Sequence, residues 1–179
     1  AWFIRGKERK PYLLKAAGYY ERAYTIEARK PGTKLISYAS HLGSLLVEEA
    51  LIRDLERGIK LLESVFESTS KYEPLLCHYA EALYKAGDHR KTTEVATELH
   101  RRAKASEISV PPAPMRIAAK AYRALVRELK KSGRLPEAIE VSRRLLDTGV
   151  GSENDHKVHR KLAQHVVENP STSGRPTGA

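Results

Sequence analysis

The chain has one cysteine, and no run of its apolar residues approaches the roughly 18 that cross a bilayer. Because Cys77 has no second cysteine to pair with, no internal disulfide can form, which is typical of a reducing compartment. We therefore expect a cytoplasmic protein without a membrane partner. No segment shows the alternation of apolar and polar residues that indicates a β-strand.

The sequence also lacks the local motifs of catalysis. It contains no glycine-rich phosphate loop, no nucleophile elbow and no paired acidic motif. Cys77 and His78 are adjacent on a predicted helix and so point in different directions, which excludes a nucleophile–base pair. These residues therefore predict neither an enzyme nor a catalytic residue, and they predict no cofactor.

Seven histidines raise the question of a metal site. Of these, His156, His159 and His165 lie near one another on a predicted C-terminal helix. A zinc site needs three or four converging ligands, and only Asp155 or Glu153 could complete one there. The sequence therefore predicts no metal site.

Acidic residues are scarce in the second half of the chain. The net charge is +10, but residues 1–89 carry 14 basic and 12 acidic side chains, whereas residues 90–179 carry 18 and 10. Such asymmetry indicates either an anionic partner for the C-terminal half or a highly soluble surface.

Apolar residues recur at helical spacing along most of the chain, and we therefore predict an all-α fold. Its clearest part is residues 114–147, where two amphipathic helices flank a Gly133-Arg134 turn. A second hairpin is predicted at residues 73–105, with Gly87 as a left-handed cap. Residues 33–68 predict two helices that meet near Arg53-Asp54.

The first helix is predicted over residues 12–30 and should stop at Pro31-Gly32. Within it, Gly18 indicates either a hairpin turn or close packing. We expect an extended spacer at Ser109–Pro114, because proline lacks an amide donor and restricts its predecessor. A loop is predicted at Gly149–Asp155, with Asp155 or Asn154 capping a last helix.

Domain boundaries follow from these elements. We expect residues 1–11 to be a lead-in from an excised or processed chain, residues 12–168 to form one helical-repeat domain, and residues 169–179 to be a flexible tail.

Small residues recur four or five places after each predicted turn, at Ala23, Gly58, Thr92 and Ala138. The steps between them are 35, 34 and 46 residues, and two of the three match a helix–turn–helix repeat of about 34 residues. Small residues at such positions let two helices approach closely.

With GRLPEAIEVSRRLL and GYYERAYTIEA, residues 12–148 resemble the tetratricopeptide repeat (TPR) family. The resemblance implies an α-solenoid of antiparallel helix hairpins, a right-handed superhelix of about three to four repeats plus a C-terminal helix. It also implies a protein-binding scaffold. An irregular helical bundle is the alternative.

One helix carries an unbroken row of cations. The members Arg116, Lys120, Arg123, Arg127 and Lys130 follow one another at spacings of 4, 3, 4 and 3. This pattern aligns side chains along one helix face, where like charges repel by a few tenths of a kcal/mol per pair. The row therefore indicates either a function or a solvated outer face.

The resemblance implies which positions face a concave partner-binding groove. In the last repeat these are Lys120, Arg123, Arg127 and Lys130. In the repeats before it they are Cys77, Glu81 and Tyr84, and then Ser40, Gly43, Val47 and Ala50.

The leading hypothesis is a non-enzymatic module whose groove binds a peptide or helix of a partner protein, with its cationic end binding acidic groups. One alternative is a nucleic-acid-binding module that contacts the phosphate backbone, although no aromatic residue follows Tyr122 to stack on bases. Another is a regulatory domain of a larger enzyme or signalling protein. The oligomeric state stays open.

Overall fold

The computed structural model describes residues 8–29, 34–72, 74–107 and 112–168, and throughout these ranges the regular secondary structure is helical. A short 3-10 turn at Pro74–Leu76 precedes the fourth α-helix. None of the described helices combines the length and the apolarity that crossing a membrane requires. The α-helices are α1 (Arg9–Ala28), α2 (Lys34–Glu48), α3 (Leu55–Ser68), α4 (Cys77–Lys85), α5 (His89–Ala105), α6 (Pro112–Lys131), α7 (Leu135–Asp147) and α8 (Glu153–Glu168).

Two of the predicted turns are closed by aspartate caps. The Asp54 carboxylate accepts a hydrogen bond of 3.0 Å from the amide of Arg57, and Asp88 accepts one of 3.0 Å from the amide of Lys91. Each cap satisfies an amide that the first turn of a helix leaves without a partner. Gly87 adopts a φ of 83°, which confirms the predicted left-handed cap.

The interpretation of Gly18 is wrong in both of its forms. Helix α1 continues through Gly18, so there is no hairpin turn, and nothing lies within 4 Å of a side chain built there, so there is no close packing. A lone glycine costs a helix only about 1 kcal/mol, which a 20-residue helix tolerates. Ala23 therefore follows no turn, while the predicted stop at residues 31–32 lies outside the described residues.

The other three small residues occupy equivalent places. Gly58, Thr92 and Ala138 are buried in α3, α5 and α7. Gly58 lies against Gly43 of α2, since an added Cβ at Gly58 would come 3.1 Å from the Gly43 carbonyl oxygen. The missing side chains let α2 and α3 approach closely.

Consecutive helices pack against one another, and α4 also contacts both α2 and α6. The main core runs from α2 to α7 and includes the fully buried Leu62, Tyr79 and Leu99. A smaller cluster, with Leu125, Leu129 and Leu162, joins α8 to α6 and α7. Helix α8 packs mainly against α7 and reaches α6 through the side chains of this cluster, at the C-terminal end of the described fold.

Two boundary predictions need correction. The predicted extended spacer is wrong at Pro112–Pro114, because these residues form the first turn of α6. Proline is tolerated there, since first-turn amides have no partner within the helix. Residues 109–111 lie outside the described part of the chain. At α8 the cap is Ser152, while Asp155 lies one turn further on.

Candidate binding site between α4, α6 and α8

Helices α4, α6 and α8 border a cavity of about 330 Å³. Its walls come from segments far apart in the sequence, and α8, which packs on α7, supplies the last of them. The lining residues are Tyr84 from α4, Lys120, Arg123, Val126, Arg127 and Lys130 from α6, Ser142 and Leu145 from α7, and Asn154, Asp155 and Val158 from α8.

The periodicity of α6 explains how the cations reach this cavity. The apolar Ala118, Tyr122 and Leu129 are buried on one side of the helix. Lys120, Arg127 and Lys130 are exposed on another side, as the 3.6-residue period requires. Burial of the apolar side fixes the rotation of α6 and therefore directs Lys120, Arg127 and Lys130 toward the cavity.

Three of these cations have no carboxylate partner. Within the described ranges, no salt bridge reaches Lys120, Arg127 or Lys130, although cations elsewhere on the fold commonly pair one helical turn away. Those pairs are Lys60–Glu56, Lys85–Glu81, Arg101–Glu98, Arg134–Glu137, Arg143–Glu140 and Lys157–Glu153. The cavity therefore presents uncompensated positive charge.

Arg123 differs, because it is held by Asp155. Its Nε and Nη2 atoms donate to the two carboxylate oxygens of Asp155 at 2.9 and 2.7 Å. The amide and hydroxyl of Ser152 also donate to Asp155 Oδ2, each at 2.7 Å. Hydrogen bonding to Arg123 holds the pKa of Asp155 well below its usual range, and the same bond raises the pKa of Arg123.

Apolar groups complete the cavity beside these charges. Val126, Leu145 and Val158 line it from three helices, and Tyr84 lines it from α4. The Tyr84 ring packs on the ring of His89, with 5.2 Å between the ring centroids. A ligand that combines an anionic group with an apolar group would satisfy both kinds of surface.

Ser142 and His159 are close enough to raise the question of nucleophilic chemistry. His159 Nδ1 lies 2.7 Å from Ser142 Oγ. The Ser142 hydroxyl also lies 2.8 Å from the carbonyl oxygen of Ile139, which is a second acceptor for its hydrogen. Asp155 is bound by Arg123 and Ser152 and does not orient the histidine. The pair therefore links α7 to α8 and lacks the arrangement of an activated serine.

The cavity brings together Tyr84, Lys120, Arg123, Arg127 and Lys130 from the set that sequence reasoning selected.

The other members of that set lie elsewhere. Arg116 is exposed on α6 and does not line the cavity. Cys77 is half-buried, with its sulfur 3.6 Å from the Tyr72 hydroxyl, and burial raises the pKa of its thiol. Glu81 is bound by Lys85 at 2.8 Å.

The proposed extension of the groove along α2 is wrong. Ser40, Gly43 and Val47 are buried, and an added Cβ at Gly43 would collide with the side chain of Leu62 in α3. These residues face the neighbouring helix, so they cannot line an open surface. Ala50 lies in the turn after α2.

Sequence reasoning did not include the α7 and α8 residues of the cavity. Ser142, Asn154, Asp155 and Val158 lie beyond α6, and no local pattern relates them to it. A signal was present in Ser152 and Asp155, because serine followed three residues later by an acidic side chain is typical of a capping box. That motif locates the start of α8, although it does not show where α8 packs.

Comparison of the chain with known protein families, with curated proteins and with solved structures finds no match.

Proposed function

We propose that the cavity between α4, α6 and α8 binds an acidic segment of a partner protein and that the protein is a non-enzymatic interaction module. The observation that carries this proposal is the convergence of three unpaired cations, Lys120, Arg127 and Lys130, on a cavity with apolar walls. Like charges held this close destabilise the isolated helix. An anionic ligand would relieve that repulsion.

The side chain of Arg123 has a fixed position in the cavity wall. Because Asp155 holds its guanidinium, Arg123 cannot turn freely toward a ligand. In the proposal, Lys120, Arg127 and Lys130 contact the acidic groups of the segment, and Val126, Leu145 and Val158 contact an apolar side chain next to them. Arginine suits this role because its planar guanidinium can donate two parallel hydrogen bonds to one carboxylate.

We also propose a TPR-like arrangement of the hairpins as the framework of this site. It is supported by the contacts of α4 with both α2 and α6, which are the first helices of their hairpins. The burial of Gly58, Thr92 and Ala138 in the second helices supports it as well. In this arrangement α8 follows the last hairpin and closes one end of the binding surface.

Binding to a nucleic acid backbone is less well supported, because several arginines outside the cavity are already bound by carboxylates. Arg101 and Arg102 both pair with Glu98, and Arg143 and Arg144 both pair with Glu140. Arg102 is also buried and donates to the carbonyl oxygens of Phe66 and Thr69. A phosphate backbone would have to compete with these carboxylates for the four arginines.

Selection from a randomised peptide library tests the proposal, because such a library offers acidic and apolar residues in many combinations. We expect the selected peptides to be rich in aspartate and glutamate with an apolar residue nearby. The double variant Arg127→Glu/Lys130→Glu should weaken their binding at least about tenfold. The control Lys104→Glu/Lys131→Glu changes the net charge equally outside the cavity and should leave binding nearly unchanged.

Two results would contradict the proposal. One is a selection without acidic enrichment. The other is equal loss of peptide binding in both double variants, since only total charge would then matter. A single-stranded oligonucleotide serves as the competing probe, and its affinity should fall linearly with salt on logarithmic axes if the protein binds a nucleic acid backbone instead.

A further inference from the structure

Three side chains that bind metals in other proteins converge at the end of α2. Glu48 is the last residue of α2, while His78 and Glu81 lie one turn apart on α4. Their ligand atoms all lie within 4.8 Å of one another. His78 Nδ1 is 3.1 Å from Glu48 Oε1 and 3.9 Å from Glu81 Oε2.

The histidine nitrogen in this cluster has no hydrogen-bond partner. His78 Nδ1 is shielded from solvent and, among the described residues, forms no hydrogen bond, because the Glu48 oxygen at 3.1 Å is not aligned for one. Buried polar atoms are usually paired. A buried nitrogen that faces two carboxylate oxygens is satisfied either by an N–H hydrogen directed at one of them or by a metal ion between them.

Distances and charge favour the metal ion. Ligand atoms around tetrahedral zinc are separated by about 3.4 Å, given bonds of about 2.0 to 2.2 Å. The two distances from His78 Nδ1 bracket that value. Both carboxylates are anionic ligands, and Lys85 already offsets one of their two charges.

The surroundings also suit a cation. Glu48 ends α2, whose last turn holds no basic residue, so the partial negative charge of the helix end is not compensated there. Lys85 donates to Oε1 of Glu81 at 2.8 Å and leaves Oε2 directed toward His78. A partner that orients a ligating carboxylate is a common feature of metal sites.

We propose that Glu48, His78 and Glu81 bind a divalent transition-metal ion of the zinc type, which joins α2 to α4. An imidazole ligand favours zinc, cobalt or nickel over magnesium and calcium, which prefer oxygen ligands. Both carboxylates are partly exposed, so the ion can enter from solvent and keep water at its remaining positions. This site is separate from the peptide cavity and does not depend on its function.

Calorimetric titration of the chelator-treated chain with ZnCl2 tests the site. We expect one zinc ion per chain and a higher melting temperature. His78→Gln should weaken zinc binding at least about tenfold, and Glu48→Gln, at a partly exposed position, should do the same if the histidine variant folds poorly. The matched control is His156→Gln, which removes an exposed histidine on α8 and should leave binding unchanged.

Titrations with Co²⁺ and Mg²⁺ test which ligands bind the ion and which metals the site prefers. Bound Co²⁺ should give visible absorption bands that His78→Gln abolishes, and excess Mg²⁺ should not displace zinc. No zinc binding by the unmodified chain would overturn the proposal. Undiminished binding by the His78→Gln and Glu48→Gln variants would overturn it as well, since the ion would then bind elsewhere.

Discussion

Arg123 and Asp155, which are 32 positions apart in the sequence, form a bidentate ion pair. This pair holds the first turn of α8 against α6. The side chain of Asp155 is 7% exposed, whereas that of Arg123 is 40% exposed, so the carboxylate is the buried partner. Because Ser152 donates two further hydrogen bonds to it, loss of this carboxylate removes the bonds that hold the Ser152 cap of α8 as well as the link of α8 to α6.

Asp155→Asn should lower the free energy of unfolding by about 2 kcal/mol, as expected for a lost charged hydrogen bond at a buried site. Urea denaturation at neutral pH measures this change. The control is Glu153→Gln in the same helical turn, whose exposed pair with Lys157 should contribute no more than about 0.5 kcal/mol. Equal effects of the two substitutions would contradict the role assigned to Asp155.

The same pair should make stability depend on pH. The pKa of Asp155 is lowered by folding, so its contribution is fully present above the ordinary value of 3.8 and is lost as the pH falls further below it. The difference in unfolding free energy between the unmodified chain and Asp155→Asn should therefore shrink in acid. A difference that stays constant from pH 7 to about pH 2 would show that the pKa of Asp155 is not depressed.

Two glycines should respond to alanine in opposite directions. At Gly58 an added methyl would come 2.8 Å from Val47 Cγ2, and overpacking of this kind costs about 1 to 3 kcal/mol. At Gly18 nothing lies within 4 Å, so Gly18→Ala should raise stability by about 0.5 to 1 kcal/mol through helix propensity alone. Thermal unfolding followed by circular dichroism distinguishes the two, and a stabilising Gly58→Ala would contradict the close contact of α2 with α3.

Tyr79 should ionise well above the ordinary pKa of a tyrosine. Burial in the core raises its pKa to about 12, and its hydroxyl donates to Glu63, which Lys91 also binds. Absorbance titration in alkali should show one phenol that ionises near this value, and Tyr79→Phe should remove that component. Because the folded pKa is raised, the stabilisation is present below pH 10 and is lost as the pH rises toward 12. A full set of tyrosines ionising together near pH 10 would show that the phenol is not buried.

Much of the local structure could be predicted because its causes lie within a few residues. Asp54 and Asp88 cap helices whose amides lie three positions away, and Gly87 terminates the helix next to it. The prediction at Gly18 is wrong because one glycine lowers helix stability only slightly, and length and packing decide whether the helix continues. The prediction at the start of α6 is wrong because the effect of proline depends on whether it falls in the first turn.

The candidate site likewise has one part that could be predicted from the sequence and one part that could not. The shared face of Lys120, Arg127 and Lys130 follows from the helical period, which is a local property of the chain. Their position in a cavity depends on α8, whose contact with α6 no periodicity indicates. Glu48 and His78 likewise meet from separate helices, and their convergence has no counterpart in sequence spacing.

By itself, the sequence determined the all-helical character of the chain, most of its turns and the cationic row on α6, because hydrogen bonds and side-chain directions within a helix involve residues three or four positions apart. Only the tertiary structure decided that Arg123 is held by Asp155, that Gly43 faces Gly58, and that Lys120, Arg127 and Lys130 border a cavity. The physical reason is that long-range pairing depends on how whole helix faces fit together, and that fit is a property of the assembled core.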